Sequence, residues 1–268
     1  MFVSVLDQAG APVPDLGPSD FVVREDNAAR EVLKVDAADD PMLIAVMVDN
    51  SQASRNYIRD LRVGVEAFVT DMLNGTKHEI SVVSVAERPT ILANVSSDRA
   101  AVMKGVYRIF EMPGSASYLL DGVIEVSKGF VKRESQRPLI VAISTEGPEY
   151  SSRRWEDVLK PLNDAGASLN VIVLGPPSND ISEDTRNRSA VLDQGPRTSG
   201  GFRESLLASS ALTASLKRLA VDLKHQYRVT YARPQTLIPP ERVTVSATRA
   251  GLTARGTLVK ERREQVKP

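Results

Sequence analysis

Leu43-Ile44-Ala45-Val46-Met47-Val48-Asp49-Asn50-Ser51-Gln52-Ala53-Ser54 is the stretch whose reading decides the fold of this chain. Six apolar residues run without a polar break into an aspartate, and a serine follows two positions later. An unbroken apolar run of that length reads as a strand buried on both faces, which belongs in the middle of a parallel sheet. Asp49 then stands at the carboxyl end of the strand, where open α/β sheets place their ligands. A carboxylate and a hydroxyl on one short loop are hard oxygen donors, suited to Mg²⁺ or another divalent cation.

Outward from this strand the pattern alternates. Tyr57, Ile58, Leu61, Val65, Phe68, Val69 and Met72 form a helical stripe over 55–73. Strands are expected at 79–85 and 90–93. Asp98 caps a helix bearing Val102, Val106 and Ile109, and another helix opens at Ser117. Buried strands follow at 138–144 and 168–174, separated by a helix over 152–165 that Pro161 should kink or divide. Residues 176–200 read mostly as polar loop with one helix near 183–193. Leu212, Leu216, Leu219 and Leu223 mark a last long helix. Strands alternating with helices imply a doubly wound, mostly parallel sheet with helices on both faces.

The two ends of the chain read as β. Residues 2–6, 21–25 and 31–35 are strand-like, with Asp26-Asn27 as a hairpin signal. Alternating segments at 227–231 and 243–245 and a final strand at 257–259 are separated by turns at Pro234 and Pro239-Pro240. Each end is too short to fold alone, so the simplest burial is one small β-sandwich built from both. The expected division is 1–38, an α/β domain over 41–225, and 226–262 packing back on 1–38.

Composition narrows the function. The chain has 268 residues, with 34 Lys plus Arg against 34 Asp plus Glu. A formal net charge of zero argues against nucleic acid, whose binding needs a basic excess to release counterions. No apolar run approaches a membrane span, and the N-terminus lacks the basic region and apolar core of a signal peptide. Without cysteine there are no disulfides, thiolate metal sites or cysteine nucleophiles. His78 and His225, the only histidines, have no partner at metal-ligand spacing and read as surface residues. No catalytic set is therefore expected.

The central region resembles a von Willebrand factor A domain. Asp20-Phe21-Val22-Val23-Arg24-Glu25-Asp26-Asn27, the Thr198-Ser199-Gly200-Gly201 loop, and Leu223 with Tyr227 and Tyr231 are similar to motifs of a bacterial group of such proteins, many of them exported. The resemblance implies a metal-ion-dependent adhesion site on three loops, with a carboxylate from a protein partner completing the cation's shell. It also implies a secreted, periplasmic or cell-surface location. Asp49 and Ser51 match the first loop, but Ala53 stands where a second serine belongs, and Ser54 comes one residue late. Ser117 aligns with the second-loop threonine because Asp121 follows four residues on. In the third loop, Ser144-Thr145-Glu146-Gly147 places Thr145 or Glu146 where an aspartate belongs. The resemblance therefore implies metal ligands at Asp49, Ser51, Ser117 and Glu146, with partner contacts expected beside them at Asn50, Ser54 and Thr145. Arg197 is a further expected contact, read from the length of the polar 176–203 segment, which also carries Arg186, Arg188 and Arg203.

Three functions remain open at this point. The first is a non-enzymatic protein-interaction or adhesion module. The second is a structural domain of an exported assembly, in which Asp49, Ser51 and Ser117 hydrogen-bond one another as a relic. The third is a hydrolase on the same loops.

Overall fold

The computed structural model describes residues 1–233, 240 and 242–259. The expected turns at Pro234 and Pro239, and the last residues of the expected C-terminal segment, lie outside them. The chain opens with β1 (Phe2–Leu6), β2 (Phe21–Glu25), β3 (Ala28–Arg30) and β4 (Val32–Ala37). Asp26 and Asn27 take φ values of 47° and 71°. This is the left-handed pair that a two-residue hairpin needs to match strand twist. The strand they return to is β3, with Glu25 opposite Ala28. The expected strand at 31–35 instead forms β4 and crosses to another sheet, where it pairs with the chain's C-terminal part.

The α/β unit then runs β5 (Leu43–Val48), α1 (Ile58–Leu73), β6 (Glu79–Ser84), β7 (Thr90–Ser96), α2 (Arg99–Val106), α3 (Leu119–Lys132), β8 (Pro138–Thr145), α4 (Trp155–Ala165), β9 (Ser168–Leu174), α5 (Glu183–Ser199), β10 (Arg203–Leu206) and α6 (Leu212–Lys224). Its six strands lie in the order β10-β9-β8-β5-β6-β7, parallel except for β7. Strand side chains alternate between the faces. Ile44, Val46 and Val48 pack with residues of α1, α2 and α6. Leu43, Ala45 and Met47 pack with residues of α3, α4 and α5. Both faces of β5 are thus buried, which explains the unbroken apolar run.

Two sequence expectations change here. Pro161 does not divide α4, which is a single helix. Val158, Leu159, Leu162 and Ala165 bury one stripe of it, and that packing outweighs one lost backbone hydrogen bond. The presumed polar loop is mostly α5, a 17-residue helix whose N-cap Ser182 accepts from Thr185 N at 3.2 Å. Its overall polarity hides a buried stripe of Thr185, Arg188, Val191, Leu192, Gly195 and Ser199 at helical spacing.

The chain ends in β11 (Tyr227–Tyr231), β12 (Val243–Ala247) and β13 (Thr253–Thr257). The last strand therefore sits earlier than the expected 257–259. β1 lies between β11 and β13 in a four-stranded sheet that ends at β4, and β12 joins β2 and β3 in a three-stranded one. The strands come from both ends of the chain, and Val3, Val5, Phe21, Val23 and Val229 form their shared core.

Arg137, just before β8, ties the sandwich to the α/β unit. It donates to Ala38 O at 2.9 Å, Asp40 O at 3.0 Å, Leu223 O at 3.1 Å and Gln226 Oε1 at 2.7 Å. It also stacks over the Phe2 ring at 4.6 Å. Burial, the largest influence, lowers its pKa to about 10. It therefore stays charged at neutral pH and satisfies four acceptors at once.

Candidate functional site

The parallel strands β5, β8, β9 and β10 all end on the same side, and the loops that follow them interlock there. Asp49 N donates to Ile143 O at 2.9 Å, which joins the ends of β5 and β8. Asn50 donates to Phe110 O at 2.8 Å and accepts from Ala86 N at 3.3 Å. Gln52 N donates to Ser115 O at 3.3 Å, and its side chain accepts from Gly114 N at 2.9 Å. Ser117 N donates to Pro148 O at 2.9 Å, and Tyr150 N donates to Ser117 O at 2.8 Å. The second loop is thereby held between the first and the third. A Cβ on Gly147 would collide with the Cβ of Ala53, so the first and third loops also touch directly.

At the centre of this rim Asp49 is fully buried. One carboxylate oxygen accepts from Ser51 N at 3.0 Å. The other accepts from both Thr145 N, at 3.2 Å, and the Thr145 hydroxyl. The hydroxyls of Ser51 and Ser117 are buried and have no hydrogen-bond partner among the described residues. Leaving a buried hydroxyl unpaired costs about 1–3 kcal/mol, so two such groups on neighbouring loops are unusual. They also bear on the relic reading, because neither hydroxyl bonds Asp49 or the other serine.

Glu146 occupies a different place from the one the sequence suggested. Its carboxylate meets Arg188 Nη2 at 3.0 Å and accepts from Ser178 N at 3.4 Å. The charge expected to face a cation is thus spent on a cationic side chain of α5. Arg188, nearly fully buried, also donates to Thr145 O, at 3.1 Å, and to Gly147 O, and so braces the whole third loop.

The expected partner contacts change as well. Asn50, Ser54 and Thr145 are all buried. Asn50 bridges loops, Thr145 holds Asp49, and Ser54 donates to Ser51 O at 2.7 Å. Arg197 lies in the last turn of α5 and pairs with Asp193 at 3.1 Å. About fifteen residues of helix, roughly 20 Å, separate it from the rim that α5 starts from. The residues that face solvent on the rim mix polar side chains such as Gln52 and Arg55 with large apolar ones. The apolar ones include Phe110, Met112, Tyr150 and Ile181, with Tyr150 59 % exposed and Ile181 81 % exposed.

Sequence reasoning did not single out Glu149. It is buried and accepts from Ser151 N at 3.2 Å, from the Ser151 hydroxyl, and from Leu119 N at 3.3 Å at the start of α3. Burial pushes its pKa up to about 7, against the lowering effect of those hydrogen bonds. Nothing in its local sequence marked it, since its burial follows only from where Ser117 lies. His78, expected at the surface, is also buried, and its Nδ1 accepts from Met42 N at 3.1 Å. Among the described residues no cluster of three or more His, Asp or Glu side chains could hold a metal.

Comparison with known proteins gives the fold a name. No family model matches the chain, and no curated protein matches it. Solved structures do. A von Willebrand factor type A protein from Catenulispora acidiphila aligns with TM-score 0.53 and 13% identity over 82% of this chain and 49% of its own. This chain therefore spans about half the length of that structure. The vWF domain of the type V pili tip protein Mfa5 from Porphyromonas gingivalis aligns with TM-score 0.54 and 10% identity, over 75% of this chain and 99% of its own. BatB from Bacteroides thetaiotaomicron gives TM-score 0.51 and 13% identity, over 69% and 100%. At such identities the likeness is one of fold.

Proposed function

From a von Willebrand factor A fold with interlocked loops over the carboxyl ends of its parallel strands, we propose that the chain is a non-enzymatic protein-interaction module of the adhesion type. Its partner seats on that rim. The observation that carries this reading is the pair of unpartnered buried hydroxyls, Ser51 and Ser117, on the loops flanking Asp49. Their chemistry fits a hard cation. Asp49, Ser51 and Ser117 would hold a divalent ion, which would supply an attraction for an acidic side chain of the partner. Glu146 and Ala53 would take no part. With a single protein carboxylate the site is weak for Mg²⁺, because affinity in oxygen sites rises with ligand charge. The exposed Phe110, Met112, Tyr150 and Ile181 supply the apolar contact area that a protein partner requires. One structural neighbour is the vWF domain of a pilus tip protein, which accords with an exported, adhesive role. The zero net charge speaks against a nucleic-acid partner. No helix among the described residues is long and apolar enough to cross a membrane.

Thermal unfolding with and without millimolar Mn²⁺ or Mg²⁺ tests the cation. Binding to the folded state alone raises the melting temperature by linkage, and the rise should vanish in Ser51→Ala and Ser117→Ala. An unchanged melting temperature would favour the structural-domain reading, in which the rim holds no metal. Turnover of simple ester or phosphate substrates that disappears in Asp49→Ala would overturn the non-enzymatic assignment.

A further inference from the structure

α1 stops at a pair of residues with a chemistry of their own. Asn74 caps the helix, its N–H donating to Thr70 O at 3.2 Å, and Gly75 follows with φ at 68°. Glycine just past a helix is the usual stop, because it takes the left-handed conformation without a Cβ clash. Both residues are exposed. Neither the Gly75 N–H nor the Asn74 side-chain amide has a hydrogen-bond partner among the described residues. A Cβ on Gly75 would meet nothing within 4 Å, so the turn is open on that side.

The amide carbon of an asparagine is an electrophile within reach of the next backbone nitrogen. Attack of Gly75 N on Asn74 Cγ forms a C–N bond and closes a cyclic imide. The Cγ–Nδ2 bond breaks, and Nδ2 leaves as ammonia with the hydrogen that Gly75 N gives up. Water then opens the imide. Cleavage at Cγ leaves aspartate, and cleavage at the main-chain carbonyl leaves isoaspartate, in which the backbone runs through the side chain. A side chain on the attacking residue would crowd this path, and a hydrogen bond would hold its nitrogen back, but Gly75 has neither. Asn74 rests at ψ 112°, so its peptide must rotate before attack, and the open turn leaves that rotation unobstructed.

Other asparagines lack this combination, and no other is followed by glycine. Asn50 and Asn170 are buried. Asn187 lies within α5, where its Oδ1 accepts from Trp155 N at 3.1 Å. Asn94 is exposed, but it stands in β7 and branched Val95 follows it.

We propose that Asn74 is a site of spontaneous deamidation, which makes the turn between α1 and β6 acidic and inserts isoaspartate into it as the protein ages. The product acts on the fold. A carboxylate at position 74 meets the negative end of the α1 dipole. Isoaspartate lengthens the backbone of a turn that leads straight to His78 and Glu79. There His78 Nδ1 accepts from Met42 N at 3.1 Å, and Glu79 N donates to Met42 O at 2.9 Å. Met42 leads into β5, so the modification loosens the entry of the central strand. This inference is independent of the rim and of any cation.

The test ages the whole folded chain in mildly alkaline buffer and maps its peptides by mass spectrometry. An isoaspartate methyltransferase with a labelled methyl donor counts the isomerised product. The peptide that holds Asn74 should convert about tenfold or more faster than any other asparagine peptide. Conversion should quicken as pH rises, because the attacking nitrogen must lose its proton. Gly75→Ala should slow it about tenfold or more. Alanine is strained at positive φ, so Gly75→Asn, which tolerates that conformation, should slow it as well. Aged protein and Asn74→Asp should both melt below the fresh parent. The proposal is overturned if Asn74 converts no faster than other asparagines, if neither Gly75 variant slows it, or if it converts only in denaturant. Aged protein that melts with the fresh parent would overturn the effect on the fold.

Discussion

Thr145 donates both its backbone N–H and its hydroxyl to one oxygen of Asp49. In the arrangement that the sequence resembles, the third loop contributes an acid. Here it contributes a donor, and the carboxylate of the first loop is satisfied by the protein itself. Asp49 is thereby held from both of its oxygens, by Ser51 N on one and Thr145 on the other.

Replacing Thr145 should expose this trade. Thr145→Val removes the hydroxyl donor and should cost about 1–2 kcal/mol, because a hydrogen bond to a charged group is lost in a buried place. Thr145→Asp puts a second carboxylate beside Asp49. It should lower the melting temperature in chelator and gain more from Mn²⁺ than the parent does. Melting curves in chelator and in Mn²⁺ check both outcomes, and a Thr145→Asp protein that ignores Mn²⁺ would contradict the cation assignment.

Arg188 braces the third loop through the carbonyls of Thr145 and Gly147 and the carboxylate of Glu146. Arg188→Met keeps much of the volume but leaves these acceptors without their donor. A loss of about 3 kcal/mol is expected, measured by urea unfolding. The double variant Arg188→Met with Glu146→Gln should recover part of it, since the uncompensated charge is gone.

His78 makes stability depend on acid. Burial is the largest cause that lowers its pKa from 6.5 to about 4, with Arg137 and Lys224 adding to it. The folded value lies below the unfolded one, so the contribution of His78 is present above pH 6.5 and is lost as pH falls toward 4. Glu149 acts with the opposite sign, because its raised pKa favours the fold at lower pH. The histidine is therefore read as a difference. His78→Asn, whose side-chain oxygen can still accept from Met42 N, should lose less stability than the parent between pH 6.5 and 4. Parallel slopes in denaturant melts would rule this out.

Arg137 joins the two bodies of the molecule. Arg137→Leu would leave the carbonyls of Ala38, Asp40 and Leu223 without that donor, and a cost of about 3 kcal/mol is expected. Hydrogen exchange should show the loss first in β1 and β11, which meet the α/β unit near this residue, and only later in β5. Uniform loss of protection would mean that the sandwich and the α/β unit unfold as one.

Much of the fold was legible because it rests on periodicity. The six-residue run ending at Val48 could only be satisfied in the middle of a parallel sheet, and Leu212, Leu216, Leu219 and Leu223 could only face a core. α5 was harder to see, since most of its side chains are polar and Arg188 sits in its buried stripe. An arginine spaced with Thr185, Val191 and Leu192 was the signal available there. β3 escaped because Ala28 and Ala29 carry little strand character of their own. They pair because the Asp26-Asn27 turn delivers them to β2.

What the amino-acid order determined by itself is the layered α/β architecture and the placing of Asp49, Ser51 and Ser117 on loops after strands or before a helix. Those follow from which residues repel water and at what spacing. What only the tertiary structure decided is how each polar group spends its hydrogen bonds. Glu146 goes to Arg188, Thr145 goes to Asp49, and the two serine hydroxyls meet no partner among the described residues. Hydrogen bonds are short-ranged and directional, so their partners are set by atoms brought together from distant parts of the chain, and no local pattern encodes them.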